Sequence, residues 1–172
     1  MLFPDQPLSP ASHDFLMKLH LVGWSFHGTP VEFRERLSLG ETAQVELADR
    51  LRNRHGVREL VILSTCNRFE LYCAGGEGTS GALMKTLVED FCELQLGSTA
   101  YLLEDIEAVR HLFRVTSSLD SMVLGEPQIF GQVKDAYRFY TEAGWTGKLL
   151  NPIFSKAFRA AKRVRSETGI AS

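Results

Sequence analysis

The sequence predicts an α+β fold, a ferredoxin-like βαββαβ antiparallel sheet followed by a helical part. Three observations lead there. Residues 18–104 read strand, helix, strand, strand, helix, strand, which is the split βαβ order. The two middle strands are separated only by the tip of "LVILSTCNRFELYCAG", a hairpin-length gap. After residue 104 every apolar repeat has helical spacing, and segregated strands and helices indicate α+β.

Each element has its own signal. Residues 1–17, rich in Pro, Ser and Asp, read as a loose leader; they lack the basic start and long apolar core of a signal peptide. Residues 18–24, "KLHLVGW", alternate and read as a strand. "HGTPVEFRERLSLG" is a turn and a short helix. Residues 41–55 carry Val45, Leu47, Ala48 and Leu51 at helical spacing, with Gly56 placed as a C-cap. Residues 58–64 form a mostly apolar, buried strand, and 68–74 alternate again. "GGEGTSG" breaks the chain before a helix over 80–94 with Leu83, Leu87, Phe91 and Leu94 on one stripe. Residues 99–104 make a last short strand. Helices over 104–117, 126–143 and 148–168 complete the chain, with a loop at "SLDSMVLG". Residues 18–172 read as one unit, an α/β part over 18–104 and a helical part over 105–172.

Composition narrows the function. With 172 residues and a net charge of −2, there is no global basic footprint for nucleic acid. No apolar run approaches the ~20 residues of a membrane helix. The three cysteines show no C-x-x-C or His-rich spacing, so neither a metal site nor a disulfide framework is expected. Free thiols fit a cytoplasmic protein. No G-x-G-x-x-G follows a strand, and "GGEGTSG" has the wrong spacing for a dinucleotide fingerprint.

Three places could carry chemistry. Cys66 sits at the hairpin tip between Thr65 and Asn67-Arg68. It is either a small apolar side chain at a strand end or a nucleophile, because a neighbouring cation favours the thiolate and rigid strands hold it in place. Cys73 and Cys92 lie in apolar patterns and read as core. In the helix over 104–117, Ile106, Val109, Phe113 and Thr116 share a face, with Leu112 at its edge. His111 projects almost opposite and is either solvated or turned to a cleft. At "DSMVLGEPQIFGQVKDAY", Pro127 suits the first helical position with Glu126 before it, and Gln128 and Gln132 point to one side. Asp120 and Ser121 come just before. Two basic clusters, Arg50–Arg52–Arg54–His55–Arg58 and Lys156–Arg159–Lys162–Arg163–Arg165, are either solvated faces or phosphate contacts.

"LSTCNRFELY" followed by "HLFRVTSSLDSMVLGEPQIFGQVKDAY" resembles glutamyl-tRNA reductase, and "GWSFHGTPVEFRERL" is similar to that family's N-terminal signature. The resemblance runs from about residue 18 to the end. It implies NADPH-dependent reduction of glutamyl-tRNA(Glu) to glutamate-1-semialdehyde, the first step of five-carbon tetrapyrrole (porphyrin) biosynthesis. By this resemblance Cys66 is the nucleophile that takes the glutamyl group as a thioester, and His111 is the activity-critical histidine. Substrate-holding positions map onto Thr65, Cys66, Asn67, Arg68, Ser121, Glu126, Pro127, Gln128 and Gln132. Arg68 would fork onto the substrate carboxylate and Glu126 would meet its ammonium.

The resemblance also implies a homodimer in the full-length protein, an aminomutase partner acting on glutamate-1-semialdehyde, and no membrane. NADPH would be bound by a second domain, followed by a dimerisation domain; the chain stops about where the former should begin. The domain alone would then form the thioester and release glutamate by hydrolysis. Departures from the family pattern are Ser25-Phe26-His27-Gly28 where Asn-His-Lys-Thr is usual, Ser118 for Gly, Phe130 for Leu and Phe69 for Thr. The alternative is a non-catalytic tRNA- or protein-binding module of the same fold.

Overall fold

The computed structural model describes residues 17–91 and 96–171. The expected leader therefore lies, all but its last residue, outside the described residues, as do Cys92 and Leu94. The strands are β1 (Lys18–Ser25), β2 (Glu59–Ser64), β3 (Arg68–Gly75) and β4 (Tyr101–Glu104). The helices are α1 (Val31–Leu37), α2 (Glu41–His55), α3 (Thr79–Asp90), α4 (Leu96–Thr99), α5 (Asp105–Thr116), α6 (Pro127–Glu142) and α7 (Leu150–Glu167). A 3-10 turn at Gly169–Ala171 follows. The strands pair antiparallel in the order β2-β3-β1-β4. This is the predicted ferredoxin-like sheet, with β3 inserted between β1 and β2.

Local signals set the element ends. Gly56 closes α2 in the left-handed conformation, φ 62°, with its N–H donating to Arg52 O. Pro127 opens α6 behind Glu126. The helix expected over 80–94 stops at Asp90, where the N–H of Phe91 donates to Leu87 O.

Alternation identified β1 and β3 as strands, but their polar positions do not face solvent. Both are central, and β3 is buried from end to end. Trp24, Phe69 and Phe91 pack in series on one face of the sheet, and Tyr72 meets Phe154 of α7 on the other. Each fully buried side chain of this size contributes roughly 1.5–3 kcal/mol. The polar residues of the central strands, His20, Ser25, Arg68 and Glu70, are consequently buried as well.

The expected face of α5 is corrected. Ala108, Leu112, Val115 and Thr116 are buried, whereas Ile106 is 61% exposed. The buried face packs against β1 and α7. His111 sits about 60° around the helix from Ala108, at the edge of the buried face rather than opposite it. The helix carries apolar residues on two overlapping stripes, and the layer beneath it selects the one with the smaller side chains.

The helical part is tied to the edge strand through Glu59. Its carboxylate accepts from the N–H groups of Gly147, Leu149 and Leu150 at 2.9, 3.1 and 2.8 Å, an anion placed at the start of α7. The Leu60 N–H donates to Trp145 O at 2.9 Å, so the β2 edge is also covered there.

Candidate active site

The β2–β3 hairpin is closed by Thr65. Its N–H donates to Arg68 O at 2.9 Å, and its hydroxyl oxygen accepts from the N–H groups of Asn67 and Arg68 at 3.2 and 3.1 Å. Neither Cys66 nor Asn67 needs a positive φ. The side chain of Thr65 thus does what Gly or Asn commonly does in so short a connection. Arg34 of α1 braces the tip from outside, donating to Cys66 O at 3.2 Å and to Asn67 Oδ1 at 3.0 Å. Cys66 is exposed at the end of this fixed turn, while Cys73 is buried.

Cys66 opens into a narrow cleft of ≈ 30 Å³ between the hairpin and the start of α6. Thr65, Asn67 and Arg68 line it from the sheet; Ser121, Glu126, Gln128 and Gln132 line it from the helical part. Pro127 does not line it and instead sets the helix start. The Ser121 hydroxyl is buried with no hydrogen-bond partner, so the cleft contains an unsatisfied polar group. Phe26, Met122 and Ile129 also line the cleft and were not singled out from the sequence. Phe26 and Arg34 both lie in "GWSFHGTPVEFRERL", which gave a family signal but no individual role.

The loop into α6 has strained anchors. Ser118 is buried with φ 59°, a left-handed conformation that favours glycine. Its hydroxyl donates to Glu126 O at 2.6 Å. Gly125 has φ 83°, and a Cβ on it would fall 1.7 Å from Ile170 O. The 3-10 turn therefore packs directly behind the residues that present Glu126.

Behind the cleft lies a buried charge cluster centred on Glu70. Oε1 accepts from Arg68 at 2.9 Å, Tyr101 at 2.6 Å and His111 Nε2 at 2.7 Å; Oε2 accepts from Tyr72 at 2.6 Å. The contact requires His111 Nε2 to carry hydrogen. Burial pushes the Glu70 carboxyl up, but the His111 hydrogen bond, the Arg68 charge and the Tyr101 hydroxyl outweigh it and hold it well below the usual carboxylate range. Burial, reinforced by the Glu70 charge, raises both tyrosines well above their usual value.

The Arg68 guanidinium also donates to the Asp120 carboxylate at 3.4 Å and to the Asp120 carbonyl. His27 Nε2 lies 2.6 Å from Asp120 Oδ1. Two guanidinium nitrogens are thus engaged within the protein. The bidentate grip on a substrate carboxylate expected of Arg68 is not the arrangement present; its side chain is almost fully buried where it lines the cleft. His111 does not line the Cys66 cleft. It opens onto a separate depression with His27, Tyr101, Arg110, Arg114 and Asp120. The Arg68–Asp120 ion pair joins the two depressions.

Gly23 makes the cluster geometrically feasible. It pairs with Glu70 on one side and Tyr101 on the other, and a Cβ there would meet the Tyr101 ring at 2.5 Å. Without a side chain, Tyr101 can lie across β1 to reach Glu70. Gly23→Ala should displace Tyr101 and destabilise the fold by about 1–3 kcal/mol through overpacking and a lost hydrogen bond. Urea titration reads this out, and an unchanged midpoint would contradict it.

The basic clusters separate. Arg50 pairs with Asp90 at 3.0 Å, Arg54 with Glu89 at 3.5 Å, and Arg52 lies over Trp145. On α7, Lys156, Arg159, Lys162 and Arg163 are exposed.

Residues 22–168 match the family described as glutamyl-tRNAGlu reductase, N-terminal domain. The chain belongs to the glutamyl-tRNA reductase family. It is 49% identical over 158 residues to the glutamyl-tRNA reductase of Rubrobacter xylanophilus, covering 90% of this chain and 37% of the relative. Identity to the Syntrophus aciditrophicus glutamyl-tRNA reductase is 47% over 161 residues, covering 90% and 38%. The solved glutamyl-tRNA reductase from Methanopyrus kandleri matches with a TM-score of 0.75 at 32% identity, over 90% of this chain and 36% of that one. The chain thus spans little more than a third of the relatives' length.

A glutamyl-tRNA reductase implies NADPH, and the residues here do not fit it: the sheet is antiparallel, and no glycine fingerprint joins a strand to a helix. Among the described residues no group of three or more His, Cys, Asp or Glu is placed to hold a metal ion. No helix among them is long and apolar enough to cross a membrane.

Proposed function

We propose that this domain receives the glutamyl end of glutamyl-tRNA(Glu) in the Cys66 cleft and transfers the glutamyl group to Cys66. The Cys66 thiolate adds to the ester carbonyl carbon, the C–O bond to the terminal ribose breaks, and the ribose oxygen takes a proton from water. A thioester remains and tRNA leaves. Water attacking the thioester returns the thiol and frees glutamate. The observation that carries the reading is the exposed cysteine on a braced turn, facing polar side chains from a second element across one cleft. Glu126 suits the substrate ammonium, and Ser121, Gln128 and Gln132 offer hydroxyl and amide groups to its carboxylate.

His111 acts through Glu70 as a positioning residue, holding the carboxylate that orients Arg68. Reduction of the thioester to glutamate-1-semialdehyde with NADPH, in tetrapyrrole (porphyrin) biosynthesis, belongs to the whole reductase. So do dimerisation and any transfer of the product to an aminomutase. A cytoplasmic location accords with an aminoacyl-tRNA substrate.

The test uses tRNA(Glu) charged with radiolabelled glutamate. The expected result is acid-stable, hydroxylamine-labile label on the protein and slow release of free glutamate. Tight tRNA binding with no covalent label would instead identify a non-catalytic binding module.

A further inference from the structure

The α7 basic stripe is the sequence feature that the cleft leaves unused. The helix carries Lys156, Arg159, Lys162, Arg163 and Arg165 against one acid, Glu167, in a chain whose net charge is −2. Lys156, Arg159 and Lys162 are exposed and meet no carboxylate among the described residues; Arg163 pairs with Glu167. The α2 cluster differs, since Arg50 and Arg54 are neutralised by α3 and Arg52 is stacked on Trp145. Concentrated positive charge on one helix face is what a polyanion backbone recognises.

The stripe is also aimed. At 1.5 Å per residue, Lys156 to Arg165 spans about 14 Å. Its C-terminal end adjoins the loop that carries Glu126 into the cleft: Arg165 Nη2 lies 3.4 Å from Ser118 Oγ, and the 3-10 turn after α7 packs on Gly125. Arg165 also lies over Phe130 at 4.8 Å, and Lys134, midway along α6, lies over the same ring at 5.7 Å.

We propose that the exposed basic face of α7 docks the phosphodiester backbone of the tRNA acceptor arm while the 3′-terminal ester enters the Cys66 cleft. This deepens the proposed function and rests on it for the identity of the nucleic acid. The face contacts phosphates, so it supplies affinity and orientation without reading sequence.

The test is the triple variant Lys156→Glu, Arg159→Glu, Lys162→Glu, with a matching triple to Gln should the reversed charges perturb folding. In the variant, the glutamyl-tRNA concentration giving half-maximal labelling of Cys66 should rise on the order of 10-fold or more. The log–log salt slope for binding uncharged tRNA(Glu) should shrink by about 2–3. Labelling by 3′-O-glutamyl-adenosine, which has no acceptor-arm phosphates, should be unchanged. Unaltered tRNA dependence and salt slope, or an equal loss with glutamyl-adenosine, would overturn the proposal. Reduced binding to phosphatidylglycerol vesicles with tRNA binding intact would overturn it in favour of a lipid surface. Should wild type form no thioester with either substrate, the proposed function fails, and the tRNA salt slope still decides the role of α7.

Discussion

Glu70→Gln should destabilise the protein by about 3–5 kcal/mol at neutral pH and make its stability less sensitive to acid. Glu70 and Arg68 are a fully buried ion pair. Removing the carboxylate charge leaves the guanidinium buried with only Asp120, 3.4 Å away, as counter-charge. The amide also presents two donors to a site already supplied with donors from Arg68, Tyr72, Tyr101 and His111. At least one pair of N–H or O–H groups would then point at each other.

The pH dependence has a definite sign. Glu70 and Asp120 both have folded-state values below their unfolded ones; at Asp120 burial opposes this, and the His27 hydrogen bond and Arg68 charge prevail. A depressed carboxyl contributes stability that is fully present above its unfolded value, about 4, and is lost as pH falls toward the folded value. Wild-type urea midpoints should therefore fall steeply below about pH 4. Those of Glu70→Gln should start lower at pH 7 and fall less steeply, because the Glu70 contribution is gone while that of Asp120 remains. Equal midpoints at pH 7 would show that Glu70 does not compensate Arg68.

Cys66→Ala should lower thioester formation by roughly 10³-fold or more while leaving stability within about 0.5 kcal/mol. The two effects separate because of how the tip is built. The turn is held by the Thr65 hydroxyl and backbone and by Arg34, and none of these contacts uses the cysteine sulfur. Cys66 is exposed, so its truncation opens no core cavity. Retained label on Cys66→Ala would place the nucleophile elsewhere. Cys73 is a poor substitute, because burial pushes its thiol up to about 12 and it packs in the core. Thr65→Val is an informative companion: it keeps the sulfur, removes the hydroxyl that closes the turn, and should slow labelling while also lowering stability.

The candidate site was legible where local chemistry is distinctive. A cysteine with Thr65, Asn67 and Arg68 at a hairpin tip, and paired glutamines one turn apart behind Glu126 and Pro127, are short-range patterns. The structure places all of them but Pro127 around one cleft. Arg68 was read as a free hand for substrate because nothing adjacent in sequence shows that Asp120, 52 residues away, holds it. The buried face of α5 was misassigned because the helix carries two overlapping apolar stripes, so His111 lies at the edge of that face rather than opposite it. Only the sheet and α7 select between them. Phe26 and Met122 reach the cleft from loops, where no periodicity reports direction.

The chain's own pattern was enough for the order of the strands and longer helices, the ferredoxin-like strand pattern and the exposed tip of "LVILSTCNRFELYCAG", but not for the short α4. Those follow from periodicity, turn chemistry and short loops, all of which act within a few residues. The tertiary structure alone decided that β1 and β3 are covered on both faces. It therefore also decided that the polar residues of an alternating strand become a buried network rather than a wet surface. Gly23, Arg68, Glu70, Tyr101, His111 and Asp120 come together only when β1, β3, β4 and α5 have packed. Neutralising a buried charge requires partners from distant segments, and no local pattern in the chain encodes which ones arrive.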